Sequence, residues 1–128
     1  MNISPLSQRL NALVDAARRM LERDGTYTTR GERVEYVHGY QVGVFGIQVK
    51  RSNPDAGARV AAFMAEVARK GYSHVGVWTE RDTVHVDASI YFGYDQEALQ
   101  AARHWNQVAV WDWSANTARY IDTNTETR

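Results

Sequence analysis

His85, Asp87 and Ser89 alternate along one stretch of chain, and of all its residues they most invite a hydrolytic reading. A nucleophile, a base and an orienting acid do such work only when they converge on one reacting atom. Here Val84, Val86, Ala88 and Ile90 occupy the positions between and around them. That alternation is the signature of a β-strand, on which residues two apart point in parallel and do not converge. The chain also lacks a Gly-x-Ser-x-Gly elbow. The three residues therefore read as the polar face of a half-solvated sheet, and no catalytic residue is assigned.

Metal chemistry finds equally little. His38, His74, His85 and His104 are scattered, without a His-x-x-x-His helical pair or a carboxylate at ligand spacing. His85 and Asp87 would need a third ligand from elsewhere to hold an ion. The absence of cysteine removes disulfides, thiolate-bound zinc and thiol catalysis. The glycine string Gly39, Gly43, Gly46 lacks the Gly-Lys-Ser/Thr ending of a phosphate loop. Neither a metal nor a cofactor is expected.

The aromatic residues offer a sharper candidate. All four tryptophans fall within residues 76–121, and Trp111 and Trp113 share one strand face opposite Val108, Val110 and Asp112. Core packing is the expected reading, with the first helix or a partner subunit covering the rings, because exposed tryptophan pairs are uncommon in monomers. The competing reading is an aromatic platform that stacks a ring or receives a protein. His104 has a structural role available at the C-terminal end of a helix, where the dipole favours a cation. The candidate ligand- or partner-binding residues are thus Trp78, His85, Asp87, His104, Trp111 and Trp113. An enzyme acting on a nucleotide or small molecule would require His85, Asp87 and His104 to line a common pocket, even one formed between subunits.

The elements that must position these residues follow from periodicity. Ser4-Pro5 opens a helix whose stripe is Leu6, Leu10, Leu13, Val14, Ala17 and Leu21, with Asp24-Gly25 as its stop. Residues 26–49 turn to β-branched and aromatic types, and Gly43 and Gly46 imply close backbone approach or a bulge in the strand at 40–49, where Tyr40, Val42 and Val44 alternate with Gln41, Gly43 and Phe45. Asn53-Pro54-Asp55 reads as cap and first turn of a second helix with Val60, Phe63, Met64 and Val67 inward. Residues 74–80 and 83–90 form a hairpin around Arg81-Asp82, a turn without the favoured glycine. Asp95 is expected to cap a third helix carrying Ala98, Leu99, Ala102 and Trp105 on one face, followed by strands at 108–113 and 118–121.

These elements imply an α+β fold: an antiparallel sheet of about four to five strands, two helices packed on one face, and an additional N-terminal amphipathic helix that packs alongside or self-associates. The expected division is a helix at 1–25, a core at 26–122 and a polar tail at 123–128, within a single domain of 128 residues. Fifteen basic and fifteen acidic residues cancel, so the chain lacks the field that drives non-specific phosphate binding. It shows no signal-peptide pattern and no apolar run of membrane-spanning length, which fits the cytoplasm.

The strings GYQVGV at 39–44, HVGVWTERDTVHVDASIYF at 74–92 and EALQAARHWNQVAVWDW at 97–113 resemble small uncharacterised proteins of actinobacteria and their phages. The matching residues are Gly76, Trp78, Val84, Asp87 and Ser89, then Glu97, Ala98, Ala102, Gln107, Ala109 and Asp112, and the resemblance covers about residues 39–121. It implies a mobile-element accessory protein and brings no catalytic residue with it. The resulting expectation is a non-enzymatic protein that binds a host protein or sequesters a small ligand, with a structural phage component as a further alternative.

Overall fold

The central hairpin sets the frame. In the computed structural model, which describes residues 4–121, β4 (His74–Glu80) and β5 (Thr83–Phe92) pair with Glu80 opposite Thr83. Only Arg81 and Asp82 remain for the turn, and Arg81 takes the left-handed conformation at φ 58°. Asp82 ties this turn to the segment after the next strand in space, accepting from the Ser52 backbone N–H at 3.1 Å and the Ser52 hydroxyl at 2.6 Å. The register sends Val75, Val77, Val84, Val86 and Ala88 to one face, where all five are buried.

Among the described residues seven antiparallel strands form the sheet, in the order β2-β1-β4-β5-β3-β6-β7. The others are β1 (Gly25–Thr28), β2 (Arg33–Val34), β3 (Tyr40–Lys50), β6 (Ala109–Asp112) and β7 (Thr117–Tyr120). The α+β class holds, but the expected four to five strands are too few. The two strands left out are β1 and β2, an edge hairpin from the stretch already marked by β-branched and aromatic residues, while β6 and β7 are the two strands expected near 108–113 and 118–121, joined by a turn. That turn is built on Asp112, whose carboxylate accepts from Ser114 and the Ala115 backbone N–H and is held below its usual range by those bonds.

Three helices complete the fold among the described residues: α1 (Pro5–Met20), α2 (Ala56–Arg69) and α3 (Asp95–His104). Ser4 caps α1 by accepting from the Ser7 N–H at 3.1 Å. The other two caps differ from expectation. Asn53 accepts from the Asp55 N–H within a turn, so α2 starts only at Ala56, and α3 is preceded by Tyr94 with Asp95 already in its first turn. Helix α2 buries Val60, Met64 and Val67 against β3, β4 and β5, while α3 sets Ala98 and Ala102 on Val42 and Val110 of the same sheet face. Helix α1 lies chiefly on α2 and adds Ala17, Met20 and Leu21 to the larger cluster. The first helix therefore does not cover the tryptophan face. The expected tail at 123–128 lies outside the described residues, among which no helix is long and apolar enough to cross a membrane.

A bulge in β3 corrects one face assignment. The pairing with β5 shifts between Gly43 and Phe45, so Val44 is the extra residue. An inserted residue reverses the alternation beyond it. Phe45 consequently leaves the Gln41–Gly43 face and packs edge-on against Phe63 and Tyr72 in the core.

Met64 is fully buried, whereas Leu6 is 59% exposed. Met64→Ala is expected to lower unfolding free energy in urea by about 3 kcal/mol, and Leu6→Ala by less than about 0.5 kcal/mol.

Candidate functional site

All three helices lie away from the second face of the sheet, and that face is concave. It encloses about 930 Å³, a size usual for small-molecule sites. Its floor comes from the central strands. The side chains of His85, Asp87, Ser89 and Tyr91 project there from β5, with Gln41 and Gly43 opposite Tyr91 and Ser89 on β3.

Asp87 occupies an unusual place in this floor. Its cross-strand neighbours on both sides are glycines, Gly76 in β4 and Gly46 in β3. Nothing lies within 4 Å of where a Cβ would stand at Gly76, so that flank is open space. At Gly46 the Asp87 carboxylate itself takes the space, and a Cβ would also stand 2.6 Å from the Val86 carbonyl oxygen. Burial pushes the Asp87 carboxyl above its usual range, and the Trp78 indole and His85 only partly offset this.

The aromatic walls are held in two ways. At one end of the cup Trp78 stacks on His85, with ring centroids 3.7 Å apart and an interplanar angle of 5°. His85 Nε2 is buried there without a hydrogen-bond partner, 3.8 Å from the Glu80 carboxylate. At the other end residues 35–39 connect edge strand β2 to β3 and bring Tyr36 against His74, Tyr91 and Trp113. Tyr36 and His74 share a 2.8 Å hydrogen bond, and Tyr91 donates to the His38 carbonyl at 2.8 Å. Trp113 donates from its indole to Gln41 at 3.2 Å, and Gln41 donates in turn to Ser89 at 3.0 Å. Trp111 stands edge-to-face on Trp113 at 6.2 Å.

Of the residues singled out from sequence, Trp78, Asp87, Trp111 and Trp113 line the cup. His85 lies behind Trp78, and His104 sits at the end of α3, in edge contact with Trp105. His85, Asp87 and His104 thus do not line a common pocket within the protomer. Within the chain no helix covers Trp78 or Trp111, which are 48% and 36% exposed, while Trp113 is half-buried against Tyr36 and Gln41. Among the described residues no three His, Asp or Glu side chains come together as a metal-binding group. Comparison with protein-family models, curated proteins and solved structures finds no match.

Sequence reasoning missed Tyr36, Gln41, Gln107 and the glycines around Asp87. One signal was available: a two-residue turn at Arg81-Asp82 already pairs residue 76 with residue 87. The place of Tyr36 had no such local signal, since it depends on β2 and β3 lying far apart in the sheet.

Two outcomes test this geometry. Gly46→Ala should cost about 1–3 kcal/mol in urea denaturation, because its methyl meets backbone as well as Asp87. Burial lowers the His74 pKa from its ordinary 6.5, so the fold favours the neutral ring. That contribution is complete above pH 6.5 and is lost as the pH falls through the lower folded-state value. The melting temperature should fall on acidification over this range, and His74→Gln should flatten that part of the profile.

Proposed function

We propose that the chain is a non-enzymatic binding protein that holds a small, flat ligand in the cup on the helix-free face of its sheet. The observation that carries this reading is the open space beside Asp87, walled by Trp78, Trp111 and Trp113 and backed by Gln41 and Ser89. Rigid rings give a ligand large contact area, and a few fixed polar groups orient it. The Gln41 amide is anchored at both ends by Trp113 and Ser89, so the floor is ordered before anything binds. Such preorganisation reduces the entropy lost on binding.

The wider setting is an accessory protein of phage or mobile-element type, acting in the host cytoplasm by sequestering its ligand. Support for that setting is the sequence pattern at 39–44, 74–92 and 97–113. A host protein is the second reading, favoured by edge strand β7, whose four residues are all exposed beside Val108. Among the described residues no strand pairs with the outer edge of β7, and an edge of this kind accepts an added strand.

The two readings separate on one variant. Gly76→Leu fills the cup from a position with free space and leaves β7 untouched. Flat aromatic fragments should raise the melting temperature of the wild-type chain, and Gly76→Leu should fold normally yet lose that response. A screen without any such fragment, together with capture of one host protein equally by both chains, would favour the edge instead.

A further inference from the structure

The cup's lining differs in charge from the chain as a whole. The chain is neutral, yet the charged residues lining the cup are Asp24, Glu35, Asp87 and Arg33, three carboxylates against one guanidinium. Arg33 is already engaged, at 2.8 Å from Glu35 and folded over Gly25. Asp24 accepts from Thr79 at 2.8 Å. Asp87 stands in the floor flanked by glycines on both neighbouring strands, met by the Trp78 indole but without an ion-pair partner among the described residues.

A second acceptor joins it over Gly43. The position of a Cβ there lies 3.8 Å from Asp87 Oδ2 and 3.6 Å from Gln107 Oε1, both ordinary contact distances. The amide nitrogen of Gln107 is committed to the Trp105 carbonyl at 3.3 Å, which leaves its oxygen towards Gly43. The missing side chain thus opens a small hole edged by a carboxylate and an amide oxygen, with Trp78 and Trp111 lining the cup around it. Acceptors below and π-faces around are the surroundings that a cation with N–H donors satisfies.

We propose that the cup selects a flat organic cation, an aromatic ring bearing an amidinium or a protonated amine, whose charged end sits over Gly43 between Asp87 and Gln107. The ring lies against the indoles of the cup. This rests on the small-ligand reading above and narrows it to one charge and one donor pattern. A buried carboxylate that is costly to ionise alone gains most from such a partner, since the cation replaces the water it lost.

The probes are benzamidine, benzamide and benzoate, which share a ring and differ in charge, titrated into the full chain and followed by tryptophan fluorescence. Benzamidine should bind at least tenfold more tightly than benzamide, and benzoate weakest of all. Asp87→Asn should bring benzamidine and benzamide to parity, and Gln107→Leu should narrow the gap while leaving the floor carboxylate in place. Gly43→Val should weaken both. Equal binding of benzamide and benzamidine would overturn the cation proposal and leave the cup a small-ligand site. Benzamidine preference that survives both Asp87→Asn and Gln107→Leu would overturn the assigned subsite. Failure of all three probes would overturn the cation proposal, and the melting response to neutral fragments would then report separately on the cup.

Discussion

The register of the β4–β5 hairpin is the constraint on which the rest of the structure depends. With Arg81 and Asp82 alone in the turn, every residue of the hairpin is committed to one face. Five small or β-branched residues go inward beneath α2, and His74, Gly76, Trp78, His85, Asp87 and Ser89 go outward. A slip by one residue would exchange the two sets and bury a carboxylate beneath a helix. The hydrophobic burial of the valines therefore fixes, at no further cost, the pairing of Asp87 with Gly76 and of His85 with Trp78. Core and cup are two consequences of one register.

That coupling explains why the cup is polar at its centre and aromatic at its margins. Glycines within strands weaken a sheet, since they bury no side chain and lose the most backbone freedom on folding. A carboxylate pushed above its usual range by burial adds to that cost. Both penalties meet at Asp87, beside Gly46 and Gly76. The stability lost there is offset by the two apolar clusters under α2 and α3. Local choices that oppose stability are characteristic of sites retained for binding.

Much of this was legible in the sequence wherever a short-range pattern decides the outcome. The α2 stripe, the hairpin and the shared face of Trp111 and Trp113 follow from spacing, whereas Leu6 and Leu10 of the expected α1 stripe and Trp105 of the expected α3 face are exposed. Phe45 was misplaced because a bulge at Val44 inserts one residue, and alternation cannot reveal where such an insertion falls. The strand count was low because β2 is only two residues long and gains its order from pairing with β1. Asn53 has the chemistry of a cap but spends its side chain on the turn before α2. Tyr36 and Gln107 reach the cup by long-range topology, on which neither composition nor period bears.

The central claim is that the helix-free face is an open, preorganised cup centred on Asp87. It is tested most directly by mapping flat aromatic fragments onto the backbone and indole N–H signals of the isotopically labelled chain. Perturbations should concentrate on Gly43, Gly76, Asp87, Trp78 and Trp111, with the amides of α1 and α2 unmoved. Perturbations confined to the helical layer, or no response at the cup from any fragment, would contradict it.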